Sequence, residues 1–509
     1  MDLKFGVSNS IFLRMNSLRY FPLGEPITES PHAIASSLPT FEDVCGYEEC
    51  DERVLSAVKV GYPRFVLHPY VRRLTNLFLD REGLTSRFGI LVASSNAAKD
   101  LLKYAGSGVM TVEVEKGLFL VHCNAADSEL VNKMGGYLQH VGCGISSRQA
   151  EAWLLKIGRL FKPYVETFFD GDAQIEITRR LAELYGCSVE DVWVCASGMN
   201  AFYTGFRTVQ AVQQNRGRTC WVQLGWLYLD SGCVLETFLE DDETLDHCYD
   251  VADTDAVIEK LSSLGDRLAG VVVECPNNPL VQICDLERVS EAVRSAGGLL
   301  IVDPTVASVY NMDVLPYADV LVTSLTKYAA YEGDVMAGSM ALNAQSPDYR
   351  ALKSAVPEFH ILPYMGDLRR LAHEMQDAAD RVAEMNANAA RLAEFLKAHP
   401  AVSKVYFAAD SVHHARFARS SDHVGAMISI ELAGPMDQFY DRVTVFKGPS
   451  FGARTTSLSP FMYLAHYDLV TQEAGRAFLK KAGLSHELIR ISVGVEPYEA
   501  IEAVFAEAL

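Results

Sequence analysis

Within ADVLVTSLTKYAAYEGDVMAGSM, residues 318–340, an apolar strand runs into a polar turn that carries one lysine, Lys327, flanked by Ser324 and Thr326. An amine held at the end of a buried strand is desolvated, which lowers its pKa and makes it a better nucleophile; a lysine that only snorkels from a loop to solvent does no such work. A second polar group, Asp303, closes the strand-like GGLLIVD. A buried carboxylate there needs a cation or a strong donor, unless it serves as a helix cap or an internal salt bridge. In CASGMNAFYTGF, Ser197, Gly198 and Met199 stand where a strand passes into a helix. Backbone N–H groups and the helix dipole at such a passage can receive a phosphate, although small residues also open helices for steric reasons. A phosphate cradle, a strand-end aspartate and a strand-end lysine, in that order, describe a pyridoxal phosphate site. The lysine bonds the aldehyde, and the carboxylate keeps the ring nitrogen protonated so that the ring withdraws electrons.

Bringing these groups together takes an open α/β sheet, in which ligands gather at the carboxyl ends of the strands. Between residues 151 and 345 the apolar runs DVWVCASG, TCWVQLG, LAGVVVECP, GGLLIVD, ADVLVTS and VMAGSMALN alternate with helices, of which DLERVSEAVRSAG is the clearest. That alternation predicts a mostly parallel sheet covered on both faces. From 346 to 509, the long helix DRVAEMNANAARLAEFLKAHP ends at Pro400 and is followed by strands VSKVYFA, GAMISIEL and LIRISVGVE and a terminal helix, PYEAIEAVFAEAL, which predicts a smaller α+β domain. Residues 1–150 combine a helical HPYVRRLTNLFLDREG with VMTVEVEKGLFLVHC, which alternates like two strands, and carry no chemistry that stands alone.

The 509 residues, 49% hydrophobic and 22% charged, are a globular composition with room for two or three domains. A net charge of −20 argues against nucleic acid as a partner, because phosphate neutralisation needs clustered Lys and Arg. The 11 cysteines show neither C-x-x-C pairs nor Cys/His ligand spacing, so no metal and no disulfide framework is expected and reduced thiols suit a cytoplasmic protein. The N-terminal MDLKFGVSNSIFLRMNSLRYF lacks a signal-length apolar core, and no apolar run reaches the roughly 18 residues of a membrane span.

These motifs resemble those of the cystathionine γ-synthase/γ-lyase group of Cys/Met-metabolism pyridoxal phosphate enzymes. SLTKY is similar to the group's Schiff-base motif, SGMNA to its phosphate motif, ECPNNPL to its Asn-Pro turn, IVDPT to its pyridinium aspartate and LIRISVGVE to its carboxylate arginine. Order and spacing agree from about residue 135 onward. WLYLDS, VLPYADVLVTSLTK, GISSRQAE and, near residue 61, GYPRFVLHPYVRRL resemble the fungal-type cystathionine γ-synthases, which carry an N-terminal extension.

The resemblance implies the aspartate aminotransferase-like fold, fold type I. It implies Lys327 as Schiff-base lysine and proton shuttle, Asp303 as pyridinium partner and Tyr228 as the ring stacked on the cofactor. Ser197, Gly198 and Met199, with the hydroxyls of Ser324 and Thr326, would hold the phosphate. Asn278 would lie near the cofactor's phenolic oxygen or the substrate carboxylate, which Arg490 would clamp bidentately. The implied reaction is γ-replacement, in which cysteine displaces the acyl group of an O-acylated homoserine to give cystathionine. Sulfhydrylation of O-acylhomoserine, γ-elimination of cystathionine or methionine, and replacement by a non-sulfur nucleophile use the same machinery; a non-catalytic protein on this fold is the alternative of another class. The group's habit of completing each site from a neighbouring subunit implies a homodimer or homotetramer. Here the segment that would do so reads HVGCGISSR, with His140 at the usual Tyr position, Gly142 at the usual Arg and Arg148 just beyond. The grip on a neighbour's phosphate therefore passes to His140 or Arg148, or these are a packed histidine and a surface arginine. YEGD, after the lysine, keeps only Asp334 of the group's Gly-His-Ser-Asp.

Overall fold

A computed structural model describes residues 18–60 and 66–509; the stretch before residue 18, and with it most of the N-terminal sequence read above, and residues 61–65, which open GYPRFVLHPYVRRL, lie outside the described residues. Three sheets organise the chain. In the first, β1 (Arg87–Val92), β2 (Met110–Glu115) and β3 (Leu118–Asn124) run antiparallel in the order β1-β3-β2. The alternation in VMTVEVEKGLFLVHC is thus the β2–β3 hairpin. The helix Pro69–Arg81, with proline in its first turn where no N–H is needed, turns Leu74 and Phe78 onto this sheet beside Leu120.

The second sheet has seven strands: β4 (Val192–Cys195), β5 (Cys220–Leu224), β6 (Thr244–Cys248), β7 (Leu268–Glu274), β8 (Leu299–Asp303), β9 (Val320–Ser324) and β10 (Gly338–Leu342). Their order is β4-β10-β9-β8-β7-β5-β6; β10 is antiparallel to both its neighbours, and the other pairs are parallel. The mostly parallel α/β sheet expected from the apolar runs is present. Every residue of β7 is buried, as a strand covered on both faces requires. β6 was not foreseen: TLDHC sits at the sheet edge, half in solvent, and its polarity hides it from a search for apolar runs.

The third sheet contains β11 (Val402–Phe407), β12 (Met427–Leu432), β13 (Phe446–Lys447), β14 (Ser457–Pro460) and β15 (Ile489–Ser492) in the order β11-β12-β15-β14-β13. The long helix Ala378–Ala398 precedes it, ending before Pro400 as expected. Residues of the N-terminal region pack on this sheet: Lys447 Nζ donates to Pro39 O at 2.7 Å, Tyr440 donates to Leu38 O at 2.7 Å, and Leu38 N donates to Lys447 O at 2.8 Å. Among the described residues no helix is long and apolar enough to cross a membrane.

Candidate active site

The parallel strands β7, β8 and β9 end on one side of the second sheet, and their last residues, Glu274, Asp303 and Ser324, all line one pocket. This is where an open α/β sheet leaves room for a ligand. Ten of the residues proposed from the sequence line it: Ser197, Gly198, Met199, Tyr228, Asn278, Asp303, Ser324, Thr326, Lys327 and, from the third sheet, Arg490; His140 and Arg148 do not.

The end of the pocket suited to a phosphate is built on the helix Gly198–Gln214. Ser197 is its N-cap, accepting from Asn200 N at 3.0 Å and donating to Gly142 O at 3.3 Å. The first amides of this helix therefore stay directed at the pocket, with the positive end of the dipole behind them. Gly142 adopts φ +62°, and a Cβ there would stand 2.1 Å from Ser197 Oγ. A side chain at this position would break the cap, so HVGCGISSR reaches the cradle of its own chain through a bare backbone. The Thr326 hydroxyl donates to Ala337 O at 3.3 Å and accepts from Ala337 N at 3.1 Å, which ties the lysine turn to the start of β10.

Lys327 projects from a tight turn. The next residue, Tyr328, has φ +64°, a conformation a bulky side chain adopts only under strain. That turn is fixed from two sides, by Tyr328 N donating to Gly452 O at 2.8 Å and Tyr328 Oη to Val306 O at 2.7 Å. Lys327 is 8% exposed, and its Nζ donates to Ser450 Oγ at 3.1 Å. The reading of a solvent-seeking loop lysine is therefore excluded.

Asp303 is half-buried and its Oδ1 accepts from both the amide (2.8 Å) and the hydroxyl of Thr305. Glu274 stands opposite it in register on β7. Its two oxygens accept from Tyr228 N at 2.6 Å and Asn278 N at 3.1 Å. Burial raises both carboxyl pKa values; the charge of Asp303 pushes Glu274 well above the usual range, and the Thr305 donors pull Asp303 only partly back. Two acids side by side at neighbouring strand ends suit a cationic ring edge facing them. The site can thus hold a phosphate at one end and a protonated ring nitrogen at the other, with an amine between.

Glu274, Thr305, Ser450 and Phe451 were not singled out in the sequence. A charged residue closing the apolar LAGVVVE is the same signal that marked Asp303, and it could have found Glu274. Because Glu274 organises both the Tyr228 and the Asn278 loops, Glu274→Ala is expected to leave two buried N–H donors without their acceptor, costing about 1–3 kcal/mol each. Spectrophotometric cofactor titration should show weaker binding in that variant than in Glu274→Gln, which keeps one acceptor; equal affinity in both would remove the organising role.

Arg490 Nη1 donates to Asn278 Oδ1 at 3.2 Å and Nη2 to Pro449 O at 2.6 Å, and its guanidinium lies between Phe451 and Phe461 with ring centroids 5.0 and 4.9 Å away. Asn278 accordingly touches the arginine. Arg148 is neither a surface residue nor a pocket residue. Its side chain is 3% exposed and binds Glu166 bidentately at 2.8 and 2.7 Å, with Asp367 at 3.2 Å and Asp334 at 3.3 Å beyond. His140 faces Asp230 of its own chain at 3.3 Å. Asp334, the one residue kept from the usual motif after the lysine, belongs to the Arg148 network.

Comparison with known proteins gives the family. Residues 173–509 match the family described as Cys/Met metabolism PLP-dependent enzyme. Across 489 aligned residues, 95% of this chain and 97% of the other, the sequence is 35% identical to the L-2-amino-4-chloropent-4-enoate dechlorinase/desaturase of Streptantibioticus cattleyicolor. It is 26% identical to the cystathionine gamma-synthase of Neurospora crassa, with 96% of this chain and 98% of that one covered. Among solved structures, the cystathionine gamma synthase of Xanthomonas oryzae pv. oryzae, in complex with aminoacrylate and cysteine, shares the fold with a TM-score of 0.56 at 24% identity, over 66% of this chain and 85% of that one. With a lysine, an aspartate and a helix N-terminus gathered as that chemistry needs, the chain belongs to the Cys/Met-metabolism family of fold type I enzymes that work with pyridoxal 5′-phosphate.

Proposed function

We propose that the protein takes an α-amino acid with a leaving group on Cγ, fixes its carboxylate on Arg490, and uses Lys327 to move the protons that release that group. The supporting observation is the placing of Lys327 Nζ and the Arg490 guanidinium about one aromatic ring, Phe451, at 5.1 and 5.0 Å from its centroid. An amine and a carboxylate-binding fork gathered about one ring suit an α-amino acid, which offers a Cα proton to the one and a carboxylate to the other. Gly198 and Met199 amides, backed by the Ser197 cap and joined by the Ser324 hydroxyl, would hold the cofactor's phosphate, Asp303 its ring nitrogen, Tyr228 its ring face and Lys327 its aldehyde carbon. Bound pyridoxal phosphate supplies the electron sink for the charge left when Cα loses its proton. With substrate bound, the Lys327 amine would take that proton at Nζ, give it up again, and then be free to take one from Cβ. The Cγ substituent leaves with its bonding electrons.

Elimination to an unsaturated product is the preferred outcome. Among the described residues lining the pocket the cations are Lys327 and Arg490, one carboxylate clamp, which suits a reaction with one amino acid. The 35% identity to a protein named as a dechlorinase/desaturase points the same way. The second reading is γ-replacement by cysteine to give cystathionine, favoured by the near full-length likeness to the Neurospora crassa synthase. Holoenzyme given L-2-amino-4-chloropent-4-enoate, O-acetylhomoserine or O-succinylhomoserine, each with and without cysteine, separates them. Chloride or acid release without cysteine supports elimination, cysteine-dependent cystathionine supports replacement, and no release from any of the three would dismiss both.

Arg490→Lys should raise KM for every such amino acid by roughly 10- to 150-fold, the worth of a charge-assisted bond of about 1.5–3 kcal/mol, because an ammonium cannot reproduce the fork. Unchanged KM would remove the carboxylate role. The working unit proposed is a homo-oligomer. Phe161 and Val165 are 91% and 88% exposed on an extended stretch of chain, apolar area that a second copy would cover. Native mass spectrometry should find dimers or larger in wild type and a shift to monomer in Phe161→Asp/Val165→Asp.

A further inference from the structure

The stretch Pro449–Gly452 bridges the two cations. At one end Pro449 O accepts from Arg490 Nη2 at 2.6 Å and Gly452 N donates to Ser492 Oγ at 2.8 Å, two residues along the same strand β15. At the other, Gly452 O accepts from Tyr328 N, next to Lys327, and Ser450 Oγ accepts from Lys327 Nζ. Gly452 makes the close approach possible: it has φ +70°, and a Cβ there would stand 2.9 Å from Tyr328 N. Phe451 occupies the middle of this bridge, 7% exposed, with its ring edge-on to Tyr328 at 6.1 Å. A carboxylate in its place would pair with either cation and take the seat of the substrate's own carboxylate. An aromatic ring attracts the guanidinium through its quadrupole and packs beside the lysine, and it competes for neither group as a hydrogen-bond acceptor would.

We propose that Phe451 is a positioning residue for substrate recognition: its ring holds the Lys327 amine and the Arg490 guanidinium at one separation, which couples α-carboxylate binding to chemistry at Cα. The inference rests on the roles given above to Lys327 and Arg490. It places specificity for the α-carboxylate in the ring as well as in the arginine.

The test compares two ligands with no leaving group, L-norvaline and butylamine, which differ by the carboxylate alone. Each is titrated into holoenzyme and followed by the change in the visible absorption band. In Phe451→Leu the preference for norvaline over butylamine should fall about tenfold, within the range of a desolvated cation–π contact, and Phe451→Tyr, which keeps the ring face, should restore it. Phe451→Met, of similar bulk without a ring, should behave as Phe451→Leu and stands in for it if that variant does not fold. Equal weakening of both ligands, or an unchanged preference, in the leucine or methionine variant would overturn the proposal. Arg490→Lys measured alongside separates the two levels. If it too leaves the preference unchanged, the carboxylate reading itself is wrong; if it lowers the preference and the ring variants do not, only the role of Phe451 falls.

Discussion

Lys327→Ala should lose turnover by about 10²–10⁴-fold or more, the usual contribution of a positioned acid–base group before any part played by covalent attachment is counted. The variant has reason to fold normally: the turn is held by the Tyr328 amide and hydroxyl, neither of which involves the Lys327 side chain. Cofactor should still bind, since the helix N-terminus, Asp303 and Tyr228 are untouched. Borohydride treatment of wild type should leave the reduced cofactor on the peptide that contains Lys327, and the variant should show no such adduct. Turnover retained near the wild-type rate, or an adduct on another lysine, would remove Lys327 from the centre of the reaction. No other lysine lines the pocket among the described residues.

The groups that do chemistry at strand ends were legible because burial and polarity conflict there. A lone charge closing an apolar run of five to seven residues, as in GGLLIVD or LAGVVVE, must be answered by something, and the sequence displays the conflict if not the answer. Phe451 and Ser450 gave no such sign. They lie between two short strands in KGPSFGARTTSLSP, where neither a two-residue nor a 3.6-residue period exists, and only the close approach of Gly452 to Tyr328 brings them to the lysine. The short helices between β12 and β15 escaped for the same reason. The surface reading of Arg148 fails on different grounds: an arginine in a polar stretch reads as solvated, and its partners lie 18, 186 and 219 residues downstream. Burial of a charge is set by such distant partners, and one sequence does not reveal them.

Arg148→Ala should therefore act on stability first. The side chain and those of Glu166, Asp334 and Asp367 are each 3–5% exposed, and Arg370 adds a second guanidinium, 3.3 Å from Asp334 and 3.1 Å from Glu374. Burial alone would lower the pKa of Arg148, but the bond to Glu166 and the charges of Asp334 and Asp367 outweigh it and raise it. Removing one partner of a buried ionic cluster costs about 3–5 kcal/mol, because the others keep their desolvation without its compensation. Glu166, Asp334 and Glu374 would then share the Arg370 guanidinium, and Asp367 would lose its Arg148 partner. The pH dependence follows from Asp367, whose pKa burial already raises and Arg148 holds down. Without Arg148 its folded-state value climbs further above the unfolded value near 4. A carboxyl raised in the folded state binds more protons folded than unfolded, so stability falls as pH rises from that unfolded value through the folded one. The melting temperature of Arg148→Ala should accordingly lie further below wild type at pH 8 than at pH 5, and adding Asp367→Asn should recover part of the pH 8 deficit. The variant should fold enough at pH 5 for its cofactor affinity to be measured there, and that affinity should stay near wild type. Weaker cofactor binding with no loss of melting temperature would return Arg148 to the phosphate site.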